Sequence, residues 1–232
     1  MQSTKSPYWQ GVRAGLPFIL ILAPFGTLFG VVAAESGLNL FEALVMSVLT
    51  IAGASQFTAL QLLNEQVPTL IVILAALTVN LRLAMYSAAL TPHLGQASPW
   101  MRASVAYCIV DQTSACSIAA YEENPDWTLR QRLAFFWGVA TPIMPNWMVF
   151  TCVGALVGEA IPEEAALDFA IPITFIALVV PMMRTGAHRA AALAGIVASL
   201  MLTWLPYSLG IIVAGMIGMM VGAEVERRGD RA

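Results

Sequence analysis

Arg82 and Asp111 carry opposite charges, and both fall deep inside long apolar runs of the chain. An ionised side chain at the centre of a bilayer costs about 2.5–3.5 kcal/mol even on a lenient insertion scale. Such groups turn toward a bundle interior or a wet cavity, and they usually pair. A guanidinium and a carboxylate can together hold a dipolar ligand, one taking its anionic end and the other its ammonium. Further polar residues fall at the same depth. Ser55 and Gln56 follow the small residues Ala52, Gly53 and Ala54, with Phe57 next. Asn80 lies two residues before Arg82, Gln112 follows Asp111, and Asn146 follows Pro145. A helix broken near Gly53 would aim free N–H groups at an anion, and glycine and alanine let a ligand come close. Asp111 is also the proton-coupling candidate, because a carboxyl out of water takes up a proton more readily; a neighbouring Arg82 opposes that. The plainer readings are a structural ion pair for Arg82 and Asp111 and hydrogen-bond glue between helices for Gln56 and Asn80.

The elements that must position these residues follow from composition. The chain has 232 residues, 59% hydrophobic and 11% charged, with mean hydropathy +0.76. A soluble domain carries about 25% charged residues, so a water-facing surface cannot be covered here. The net charge of −3 decides little, because orientation follows the placement of Lys and Arg. The expectation is an all-α polytopic membrane bundle forming one transmembrane domain over 1–232. Six apolar segments approach the roughly 20 residues a spanning helix needs: 13–34, 40–63, 68–90, 100–121, 133–157 and 167–183. The run 190–221 is interrupted at Pro206 and reads as two short helices, giving eight transmembrane helices; one kinked helix is the alternative.

With eight helices, Lys5 and Arg13, then Arg184 and Arg189, then Arg227, Arg228 and Arg231 share one side, expected to be the cytoplasm. The middle loops are mixed in sign. Pro24, Pro142, Pro145, Pro172 and Pro181 are expected to interrupt helices, and the G-x-x-x-G pairs at 11/15, 26/30, 154/158 and 218/222 to pack against neighbours. "GTLFGVVAAESGLNLFEAL" (26–44) matches "GALVGEAIPEEAALDFAIP" (154–172) weakly, as parallel repeats covering about 13–90 and 140–221 would.

Enzyme chemistry finds little support. Three cysteines without a CxxC and two distant histidines give no metal set, and no cofactor is expected. No P-loop, H-E-x-x-H or G-x-S-x-G occurs, and nothing suggests a nucleic-acid partner.

"AGASQFTALQLL" (52–63), "NLRLAMYSAALTPHL" (80–94), "DQT" (111–113) and "DFAIPITFIALVVPMMR" (168–184) together resemble the AzlC family, the large subunit of bacterial branched-chain amino-acid exporters. The resemblance runs from about residue 11 to 222. It implies a multi-pass inner-membrane exporter of valine, leucine, isoleucine or methionine, working with a small AzlD-type membrane subunit. The family pattern after Asn80 usually has a histidine where this chain has Leu83. Gly53 to Phe57, Asn80, Arg82, Asp111 and Gln112 match the family's motifs. Taken with the depth argument, they place a neutral amino acid at mid-membrane. Arg82 or the N–H groups near Gly53 would meet its carboxylate and Asp111 its ammonium. Gln56, Asn80 and Asn146 would complete the polar shell, with Phe57 against the aliphatic group. A passive channel and a non-transporting scaffold or regulatory subunit are the alternatives.

Overall fold

A computed structural model describes residues 6–160, 183, 185–205 and 209–229. Its described residues are helical, turn or irregular, with no strand among them. The chain divides into two compact units, residues 1–60 with 79–162, and residues 61–78 with 163–232. The predicted helix 167–183, with Pro172 and Pro181, lies outside the described residues.

The first unit is built on two parallel rods. One is α1 (Pro7–Gly15), a single 3₁₀ turn (Leu16–Phe18) and α2 (Ile19–Glu35), together one apolar span. The other is α8 (Leu129–Glu159), begun by a capping box in which Thr128 and Gln131 satisfy each other's backbone N–H. Glycines bring the rods' backbones together. A Cβ on Gly11 would strike the Phe135 carbonyl and one on Gly138 the Tyr8 carbonyl; a Cβ on Gly30 would strike the Thr151 carbonyl and one on Gly154 the Thr27 carbonyl. Contacts ascend together along both chains, so the rods are parallel, and each set is reciprocal. Nineteen residues separate Gly11 from Gly30, but sixteen separate Gly138 from Gly154. The packing expectation for the first three G-x-x-x-G pairs holds.

Pro24, Pro142 and Pro145 do not break these rods; all three lie inside continuous helix. Thr27 Oγ1 donates to the Ala23 carbonyl at 2.8 Å and Asn146 Nδ2 to the Pro142 carbonyl at 2.6 Å, each a back-bond to the preceding turn of its own helix.

The segments read as second and fourth spans are not single crossing helices. Each is a V-shaped hairpin of two half-helices that enters and leaves the bundle at the same end. α3 (Leu40–Thr50), capped by Asn39 and Glu42, runs inward to Ile51, whose left-handed backbone (φ 32°, ψ 45°) stops it. α4 (Gly53–Asn64) then turns back. The reversal shows in two places. Gln56 Nε2 reaches Ser47 Oγ at 3.0 Å, although nine residues of straight helix would put them about 13 Å apart. Gly53 also lies level with Phe25, and Phe57 next to Phe29, so α4 runs parallel to α2.

α5 (Thr69–Leu94) is a full span, and α6 (Pro99–Tyr107) folds back against its C-terminal half. α7 (Asp111–Glu123) reverses again: Asp111 pairs with Arg82 and Tyr121 meets His93 (ring centroids 5.2 Å apart), so α7 parallels α5. At 9–13 residues, these half-helices are about 14–20 Å long, roughly half of a 30 Å hydrocarbon core. The sequence window could not separate a crossing helix from two half-helices because both are apolar for the same length.

The hairpins therefore enter from opposite ends and their tips meet. Tyr107 Oη, at the tip of α6, donates to the Val48 carbonyl at 2.6 Å, in the last turn of α3. That carbonyl is among those a helix C-terminus leaves without an intrahelical partner. Tyr107→Phe should lower the melting temperature in detergent by the equivalent of about 1–3 kcal/mol, since the carbonyl would be left unpaired in an apolar setting. An unchanged melt would exclude a role for this bond.

This topology also sorts the arginines. Arg13, Arg102, Arg130 and Arg132 of the first unit gather at the end where α1 begins, interleaved with Glu122, Glu123 and Asp126, while Glu35, Glu42 and Glu159 stand at the far end. In the second unit, α9 (Gly186–Met201) and α10 (Leu209–Gly229) are two separate helices, as expected either side of Pro206, which is itself outside the described residues. They pack antiparallel, Gly210 beside Leu202 and Gly218 beside Ala191. Leu20, Leu49, Leu77, Leu81 and Met85 stand more than half exposed, a lipid-facing pattern.

Candidate functional site

Both hairpins restart at mid-depth, so the N-termini of α4 and α7 aim their first-turn N–H groups at the membrane centre from opposite halves. Each tip is held differently. At the α6–α7 tip, Thr113 Oγ1 accepts from the Val110 N–H at 2.9 Å and donates to the Cys108 carbonyl at 2.8 Å. One hydroxyl thus ties the end of α6 to the first turn of α7. Asp111 opens α7, where a carboxylate is favoured by the helix dipole. Its Oδ2 lies 3.3 Å from Arg82 Nη1, and the Tyr86 hydroxyl, one turn along α5, faces the same carboxylate. The two side chains of the pair are 36% and 44% exposed, so the pair borders an open space rather than a sealed core. Asp111 Oδ1 and Arg82 Nε have no hydrogen-bond partner among the described residues.

The α3–α4 tip is closed. Gln56 is fully buried and donates to Ser47 Oγ, which lies 3.4 Å from Thr151 Oγ1 on α8. Ser55 Oγ returns to the Ala52 carbonyl at 2.9 Å, and Thr58 Oγ1 to the Ala54 carbonyl. Aromatic rings cover the start of α4: Phe25 lies 5.1 Å from Phe57 and 5.8 Å from Trp147, and a Cβ on Gly53 would come within 2.8 Å of both Phe25 and Trp147. Gln56 Oε1 and Trp147 Nε1 are buried without hydrogen-bond partners among the described residues.

The structure thus brings Arg82 and Asp111 together and gathers Gly53, Gln56 and Phe57 into a second, sealed cluster. Asn80 Oδ1 is buried and unpartnered, Gln112 is half-buried, and Asn146 bonds to its own helix. No hydrogen bond among the described residues joins Gln56, Asn80 and Asp111. Sequence reasoning did not single out Ser47, Thr151, Tyr86, Tyr107 or Trp147. A hydroxyl or phenol in mid-span was the available signal for the first four.

Two cavities open toward the basic end. One, of about 370 Å³, lies among α1, α7 and the start of α8 and is lined by Gln10, Cys116, Glu123, Asn124 and Trp127. The other, of about 440 Å³, lies between α5 and α6.

Long apolar helices with two opposed half-helix hairpins meeting at mid-depth, beside an ion pair, define a polytopic membrane protein of the re-entrant kind. Residues 17–161 match the family model described as AzlC protein, and the chain belongs to that family. The match runs from the 3₁₀ turn before α2 past the end of α8, so it holds both hairpins. Relatives include an uncharacterized membrane protein of Archaeoglobus fulgidus, 27% identical over 94% of this chain and 95% of its own. The inner membrane protein YgaZ of Escherichia coli is 25% identical over 94% of this chain and 92% of its own. An uncharacterized membrane protein of Helicobacter pylori is 26% identical over 74% of this chain and 73% of its own. No solved structure matches the chain.

Proposed function

We propose that this protein is the large subunit of a secondary transporter that exports branched-chain amino acids, valine foremost with leucine, isoleucine and methionine as further cargo, across the inner membrane. One observation carries the reading: an arginine and an aspartate of opposite charge, 3.3 Å apart, stand at a re-entrant tip halfway across the bilayer and border open space. A zwitterion is the small ligand that can part such a pair, its ammonium at Asp111 and its carboxylate at Arg82. Aliphatic residues around the tips suit an apolar side chain. The basic end of the first unit is placed in the cytoplasm, N-terminus included, because Lys and Arg are retained on that side. Both cavities then open inward and the α3–α4 tip closes the outer half, the arrangement in which an exporter loads.

Family membership supports the transport role, and the AzlD-type small subunit is the partner proposed with it. No chemical transformation is assigned to the chain. Proton coupling at Asp111 competes with its ion pair, since a protonated carboxyl no longer holds Arg82 as a salt bridge. Opposed half-helices would also suit a passive pore, which separates from a carrier by kinetics. In proteoliposomes holding both subunits, labelled valine should move saturably, with counterflow driven by unlabelled valine and a rate that responds to a pH gradient. Absence of valine movement would remove the substrate assignment, linear flux without counterflow would favour the pore, and indifference to pH would remove Asp111 from coupling.

A further inference from the structure

The cleft between α5 and α6 holds a cation that the central site does not use. Its walls are Ser87, Leu90 and Thr91 on α5, Arg102 and Val105 on α6, and Ile109 in the connection to α7. At about 440 Å³ it falls within the range of small-ligand sites. Arg102 stands at the outer part of the cleft, two residues after Trp100, which is 86% exposed and suits the aromatic belt of a membrane interface. No hydrogen bond or ion pair engages its guanidinium among the described residues. The inner part of the cleft ends at Ser87 and Ile109. Ser87 follows Tyr86, which faces Asp111, and Ile109 lies two residues before Asp111 itself. Both walls therefore lead toward the Arg82–Asp111 pair; α6 runs about 7.5 Å beyond Arg102 before Cys108 to Val110 connect it to Asp111.

We propose that this cleft is a loading subsite in which Arg102 captures the carboxylate of the incoming amino acid before it passes to Arg82 and Asp111. The assignment rests on the transport reading above and adds an entry site to it. A guanidinium at the outer part, with aliphatic groups and the Ser87 and Thr91 hydroxyls below it, matches an amphipathic zwitterion entering from water. A lipid phosphate shares the anionic chemistry that Arg102 recognises, but the run of the cleft toward the mid-depth ion pair favours a ligand that travels its length.

The test compares valine transport in inside-out and right-side-out vesicles carrying the complete two-subunit transporter. Arg102→Gln should raise the half-saturating valine concentration at the basic face about tenfold, the loss of one charge-assisted hydrogen bond. The maximal rate and the half-saturation at the opposite face should change less than twofold, and Arg102→Lys should recover most of the loss. Equal changes at both faces, or none, overturn the proposal while leaving the transport reading in place. A change seen only in vesicles containing anionic lipid assigns Arg102 to a headgroup and also overturns it. A wild-type complex that moves no valine from either face overturns the transport reading and this subsite with it.

Discussion

Asp111→Asn is expected to cut valine export at least 30-fold while the protein still inserts and assembles. The substitution keeps the size of the side chain and its place at the start of α7, but removes the charge that meets Arg82 at 3.3 Å. One charge-assisted hydrogen bond contributes about 1.5–3 kcal/mol, and about 2 kcal/mol corresponds to a 30-fold change. Arg82→Ala should act comparably, since it leaves a carboxylate at mid-depth without its partner. The double substitution Arg82→Ala with Asp111→Ala decides between a binding role and a structural one. A pair that only stabilises the bundle can be removed as a unit, because taking away both charges also removes the cost of burying them. A pair that holds substrate cannot, and the double variant should be as inactive as either single one. Transport rates normalised to assembled complex provide the measurement. Near-normal export by the double variant would end the binding assignment.

Gly30→Val and Gly154→Val are expected to be the most damaging changes to stability, at about 3 kcal/mol or more each. A Cβ at Gly30 would run into the Thr151 carbonyl and one at Gly154 into the Thr27 carbonyl. Both obstacles are backbone, so no rotamer change relieves them and the rods must move apart. Overpacking of a well-fitted contact costs about 1–3 kcal/mol, and here the lost backbone approach adds to it. Gly215→Val in α10 is the matched control. A Cβ there meets nothing within 4 Å, and the change should stay within about 0.5 kcal/mol. Thermal unfolding in detergent, followed by retention of a monodisperse peak, reads the difference. Similar melting of all three variants would exclude the glycine contacts as the source of rod packing.

The sequence disclosed much of this arrangement. Length and hydropathy located the long spans α2, α5 and α8 within a few residues, because an apolar run of 20 or more residues admits few alternatives. The break at Ile51 and Ala52 was legible from the cluster of small residues beside Gln56. The break at Cys108 to Val110 was not, since neither glycine nor proline marks it. Its signal was a helix-start pattern, Asp111 with Thr113 two residues later, hidden inside an apolar window. Prolines misled in the opposite direction: Pro24 and Pro142 sit in unbroken helices, which the loss of one backbone donor each does not interrupt. Depth was the strongest argument for the site, and it did place Arg82 beside Asp111. Depth alone could not tell that Gln56 turns toward Ser47, because direction around a helix depends on which half-helix reverses.

The paired spacing of the glycines sets what can move. The first rod and α8 interlock twice, and the intervals between the two interlocks differ by three residues. A slide of one turn that re-engaged either set would pull the other out of register, so this pair cannot ratchet. On the transport reading it would act as a stator, with the hairpins of the first unit the elements left to swing about it.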